Sequence, residues 1–126
     1  MGFWIFMLCF TVLIPLIMII FGKVFSKTAP KNINYLFGYR TNRSMKSQET
    51  WNFAHKVIGK IWWIWGIVIL IVSVVVLILF VGADNDTIGN ASCIIIFAQL
   101  IFLFITIFFV ERKLKKNFDD DGNPLN

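Results

Sequence analysis

The segment IWWIWGIVILIVSVVVLILFVGA, residues 61–83, decides the fold. It contains no Asp, Glu, Lys, Arg or His. As a helix rising about 1.5 Å per residue, it is long enough to cross a hydrocarbon core roughly 30 Å thick. The Val and Ile density between Ile67 and Ile78 would favour a strand in water. In lipid the edges of a lone strand leave N–H and C=O groups unpaired, so helix wins. Two further runs without charge, Phe3 to Gly22 and Ala91 to Val110, have similar length. Composition agrees: 58% of the 126 residues are hydrophobic and 15% are charged, against about 25% charged in ordinary soluble domains. The sequence predicts an all-α integral membrane protein with three transmembrane helices, over about 3–22, 61–83 and 91–110, in one domain covering 1–118.

Charge sets the expected orientation. Lys23, Lys27, Lys31, Arg40, Arg43, Lys46, Lys56 and Lys60 lie between the first two spans, and Arg112, Lys113, Lys115 and Lys116 follow the third. The connection between the second and third spans, Asp84 to Asn90, carries Asp84 and Asp86 and no base. Basic loops stay in the cytoplasm. The N-terminus is therefore expected outside, and the C-terminus and the 23–60 loop in the cytoplasm, with a disordered tail over 119–126. The first span lacks a basic flank and a small-residue cleavage site, so it is not expected to be a cleaved signal. Phe6 stands where myristoylation after Gly2 would need Ser or Thr. Cys9 and Cys93 read as small hydrophobes in apolar helices rather than as a disulfide or metal pair.

Few polar side chains are expected at depth: Thr11, Ser73, Gln99 and Thr106. Pro15 has no N–H to give to the Thr11 carbonyl, which is thereby freed. The Gln99 amide needs a partner on another helix, so it reads as structural glue. No intramembrane charge is present to couple ion movement.

Ahead of the second span runs GYRTNRSMKSQETWNFAHKVIG, residues 38–59, the polar stretch richest in chemical information. Ser47 is a helix N-cap candidate, and Glu49 in the first turn complements the helix dipole. Trp51, His55, Ile58, Trp62 and Trp65 recur on one helical face. This predicts one helix that begins in the interface and runs into the membrane, with Trp62, Trp63 and Trp65 in the aromatic belt. Gly38 suits a turn and Gly59 a close helix contact. Trp51 should anchor the loop. His55, with no second ligand type nearby, reads as a hydrogen-bonding residue and not a metal ligand. Arg40 has two readings of equal weight: a donor fork for a carboxylate or phosphate ligand, or a clamp onto Glu49. No nucleophile set, carboxylate pair or phosphate loop is present, so neither catalysis nor a cofactor is expected. The bases suit anionic lipid headgroups, which leaves no need to invoke nucleic acid.

The order Gly38-Tyr39-Arg40-Thr41, a Ser-Met-Lys-Ser step, then Glu49, Trp51, Asn52, His55 and Gly59 resembles the SdpI-type immunity protein family, from about Asn34 to Lys60. The resemblance implies a multi-pass protein of the bacterial plasma membrane, with those nine residues as the candidate binding motif. It also implies protection against a secreted peptide toxin and contact with a cytoplasmic regulator. The family's founding member is longer, with further spans before the motif. A thin three-helix chain suits a homodimer. The alternatives are a small oligomeric transporter and a structural membrane module.

Overall fold

The computed structural model describes residues 1–31, 33 and 38–125. Three helices, α1 (Gly2–Lys27), α2 (Gln48–Ile78) and α3 (Asn85–Asn117), are each long and apolar enough to span a bilayer. Their outward faces carry large apolar side chains such as Ile71, Val75, Phe104 and Phe108, as a lipid-facing surface requires. Tyr35, Leu36 and Phe37 lie outside the described residues.

α2 is one unbroken helix of 31 residues, so the part of the polar motif from Gln48 onward and the second span share a rigid rod. It starts where the sequence places the cap. The Ser47 hydroxyl accepts from the Thr50 N–H, and the Thr50 hydroxyl accepts in return from the Ser47 N–H, closing a capping box. α3 begins earlier than its apolar run suggests. Asp84 caps it through the Thr87 N–H, so residues 85–90 are helical and the turn between α2 and α3 occupies 79–84. Gly82 takes a left-handed φ of 87° in that turn.

α1 and α2 touch backbone to backbone. A Cβ on Gly59 would lie 2.7 Å from the Phe25 carbonyl carbon and 3.0 Å from the Gly22 carbonyl oxygen, and one on Gly22 would strike Trp62 and Trp63. Two turns further along α2, a Cβ on Gly66 would collide with Ile19. Small residues allow this approach, and dispersion contacts hold it without any hydrophobic drive from water.

At mid-depth α3 joins this pair through one amide. Gln99 Nε2 donates to the Thr11 carbonyl oxygen at 2.9 Å and to the Ser73 hydroxyl at 3.0 Å. The accepting carbonyl is the one that Pro15 leaves open. At the two ends, indole N–H groups complete the bundle: Trp4 donates to the Leu77 carbonyl (2.7 Å) and Trp62 to the Thr106 hydroxyl (3.1 Å). Cys9 and Cys93 are free and exposed on the helix surfaces.

The end of the chain departs from the sequence expectation of disorder after Asp119. It turns back at Gly122 (φ 87°), with Leu125 N–H donating to the Asn117 carbonyl and Phe118 bridging to Pro124. The Ser47 hydroxyl donates to the Gly122 carbonyl at 2.7 Å, tying this turn to the start of α2.

Replacing Gln99 by Leu should reopen the Thr11 carbonyl in hydrocarbon. The expected loss is about 1–2 kcal/mol in reversible unfolding by mixed micelles. Gly59→Val, which pushes α1 and α2 apart, should cost more than Gln99→Leu in the same assay.

Candidate functional site

Three of the motif residues converge on the imidazole of a fourth. Trp51, His55 and Ile58 are all 0% exposed along the inner face of α2. His55 sits between the indole of Trp51, at 4.3 Å between centroids, and the ring of Phe25 on α1, edge-on at 4.8 Å. Its Nδ1 lies 2.8 Å from the Trp51 carbonyl oxygen, and its Nε2 lies 2.8 Å from the Tyr39 backbone nitrogen. A carbonyl can only accept and an amide N–H can only donate. His55 is therefore neutral, with its proton on Nδ1 and its Nε2 lone pair accepting the Tyr39 N–H. Burial lowers its pKa below the ordinary value, partly offset by the Trp51 carbonyl.

This bond explains Gly38. Its φ is 115°, a backbone state that other residues rarely adopt, and a Cβ there would lie 2.6 Å from His55 Nε2 and 3.1 Å from the Trp51 ring. Glycine is required twice over, for the turn and for the approach of the Tyr39 amide.

Tyr39 then reaches across to α3. Its side chain is buried, and its hydroxyl donates to Glu111 Oε1 at 2.8 Å, with the Ile107 carbonyl at 3.3 Å. Burial, then the hydrogen bond to the Glu111 carboxylate, push the phenol pKa upward. Tyr39 stays a proton donor. One residue thus links the α2 imidazole, through its backbone, to the α3 carboxylate, through its ring.

The remaining loop is closed by hydroxyls. The Ser44 hydroxyl oxygen accepts the Thr41 N–H at 2.8 Å and lies 3.0 Å from the Tyr39 carbonyl, while the Ser44 N–H donates to the Thr41 hydroxyl. The Thr50 hydroxyl donates to the Ser44 carbonyl at 3.0 Å. On the other side the Trp51 indole N–H donates to the Pro30 carbonyl at 2.8 Å, which holds the connection from α1. Trp51 is thus an anchor, as its position implies.

The structure brings Gly38, Tyr39, Trp51 and His55 together, with Thr41 in the adjoining turn and Gly59 one turn along the same face of α2. Arg40, Glu49 and Asn52 are exposed and outside this cluster. Of the two readings of Arg40, the clamp onto Glu49 is not formed among the described residues. Among the described residues the ion pair is Arg43 to Asp120, at 3.6 Å, and hydroxyl-to-backbone bonds do the clamping instead. Sequence reasoning missed Ser44, Thr50, Phe25 and Glu111. Glu111 had one signal, as the first acid after the third apolar run. Among the described residues no three His, Cys, Asp or Glu side chains gather as metal ligands would.

These features define a class: an all-helical membrane protein whose polar loop is docked, through a neutral histidine, on the rod that carries its second span. The model of the SdpI/YfhL protein family matches residues 31–110, covering the described loop, all of α2 and most of α3. The chain belongs to the SdpI/YfhL protein family. It is also similar to a protein of Bacillus subtilis (strain 168), named only as the uncharacterized protein YfhL, with 42% identity over 53 residues. That alignment takes in 42% of this chain and 48% of the relative, about half the relative's length. No solved structure matches the chain.

The neutral imidazole makes stability pH-dependent in a defined direction. The folded pKa lies below the unfolded value near 6.5, so the unfolded state binds more protons as the pH drops. Stability is full above the unfolded pKa and is lost as pH falls through it, by up to about 1.4 kcal/mol per pH unit until the folded pKa is reached. Thermal unfolding in detergent between pH 8 and 5 should show this slope. His55→Gln should be less stable at pH 8 and lack the slope.

Proposed function

We propose that this chain is an immunity and signalling protein of the bacterial plasma membrane, of the SdpI type. Its N-terminus faces outward, and its basic end, with the docked loop, lies in the cytoplasm. Membership of the SdpI/YfhL family supports this reading, and the segregation of bases supports the orientation. The single observation that carries the mechanism is the Tyr39 bridge between His55 on α2 and Glu111 on α3. A toxic peptide that inserts beside the helices would shift α3 relative to α2. That shift would break the Tyr39 to Glu111 bond and release the loop to a cytoplasmic regulator. Free and toxin-bound states would then differ at the loop, which is what a reporter requires.

Orientation is tested by thiol labelling in a chain whose Cys9 and Cys93 are replaced by Ala. A cysteine at Asn85 should react with an impermeant reagent in intact cells and one at Asn42 should not; the reverse pattern would overturn the assignment. Function is tested by expressing the chain in a toxin-sensitive bacterium and measuring survival against a panel of secreted antimicrobial peptides. Survival should rise for at least one peptide. Tyr39→Phe, which keeps the ring and its packing, should alter the response while the protein still accumulates in the membrane. Survival unchanged across the panel would count against immunity.

A further inference from the structure

On the same basic end, beside the aromatic box, the last turn of α1 and the first turns of α2 flank an open cleft of about 700 Å³. One wall is a stripe of α2 at four-residue spacing, Gln48, Asn52 and Lys56, and the other carries Lys27 and Lys31. All five side chains are exposed. Gln48 Nε2 donates to the Lys31 carbonyl at 3.1 Å and to Asn52 Oδ1 at 2.9 Å, which fixes the Lys31 backbone over the α2 stripe. The bond to Gln48 occupies Asn52 Oδ1 and leaves the Asn52 amide to present its N–H donors. Among the described residues no carboxylate lines the cleft, and Glu49 is the one acid between Lys23 and Lys60 in the sequence. The cleft therefore offers three ammonium groups and amide donors to whatever enters it.

Its depth matches a membrane headgroup. Lys27 follows Gly22, where the first apolar run ends, by five residues, and Lys56 precedes Ile61, where the second begins, by five. Five residues of helix rise about 7.5 Å. The polar layer on each side of the hydrocarbon core is roughly 5–8 Å deep. Both lysines thus stand at the level of lipid phosphates. We propose that this cleft binds the phosphate of an anionic phospholipid of the membrane that the chain spans. This site adjoins the His55 box at Phe25 and does not depend on the immunity reading.

The test is native mass spectrometry of the full chain in detergent, titrated with phosphatidylglycerol or with zwitterionic phosphatidylcholine. Phosphatidylglycerol should be retained preferentially. The triple variant Lys27→Gln, Lys31→Gln, Lys56→Gln should lose about tenfold or more in that retention, since each surface lysine near a lipid phosphate contributes about fivefold. A control triple with the same charge change, Arg112→Gln, Lys113→Gln, Lys115→Gln on α3, should lose little. Equal losses in both triples would mean diffuse attraction and overturn the site. Competition by inorganic phosphate at concentrations similar to the lipid's would overturn the lipid assignment in favour of a free anion. Should the triple variant not fold, Lys56→Gln alone, at an exposed position, carries the test: about fivefold weaker retention supports the cleft, and unchanged retention removes it.

Discussion

The backbone contact between α1 and α2 at Gly22 and Gly59 is the constraint from which the rest of the structure follows. Two helices brought this close have their neighbouring turns fixed as well. Phe25 stands one turn beyond Gly22 and His55 one turn before Gly59, so the contact delivers the Phe25 ring to the edge of the imidazole. The aromatic box around His55 thus results from a close approach made possible by the missing side chains of two glycines. Widening that approach by a methyl group or two would open the box without touching any residue in it.

Above this contact, order comes mainly from hydrogen bonds between uncharged groups. The stretch from Lys23 to Lys60 holds eight bases and one acid, a charge pattern that cannot neutralise itself. The described part of the loop closes mostly on hydroxyls, backbone groups and one neutral imidazole, with the Tyr39 bond to Glu111 and the Arg43 to Asp120 pair at its edges. The consequence is a shape largely independent of ionic strength, because few of its holding contacts are screened by salt. Tyr39 carries this order to α3, so a loop that belongs by sequence to α2 is also sensitive to the position of a helix that follows the second span.

Much of this was legible in the sequence, and the rest was not for identifiable reasons. The apolar runs gave away the three helices because lipid admits no alternative conformation. Ser47 as a cap, Gly59 as a contact and His55 as a hydrogen-bonding residue were legible because each residue type has a narrow range of uses at its local position. The Thr11 carbonyl and the Gln99 amide were each legible as groups in need of a partner, but not as partners of each other, since they are 88 positions apart. Tyr39 and Glu111 are 72 positions apart, and no local pattern announces such a pair. The Arg40 to Glu49 clamp failed because it extrapolated from charge alone. Exposed ion pairs gain little over water, whereas Ser44 and Thr50 satisfy backbone groups that would otherwise lack partners.

The amide of Gln99 also sets an order of events during synthesis. α1 enters the membrane with the Thr11 carbonyl already deprived of its helical donor, and α2 brings the Ser73 hydroxyl to the same depth. Neither group acquires the Gln99 donor until α3 has been made. A nascent chain carrying only the first two spans therefore exposes a polar notch to lipid. The arrival of α3 seals it, so the polar contact at mid-depth is complete only once all three helices have packed together.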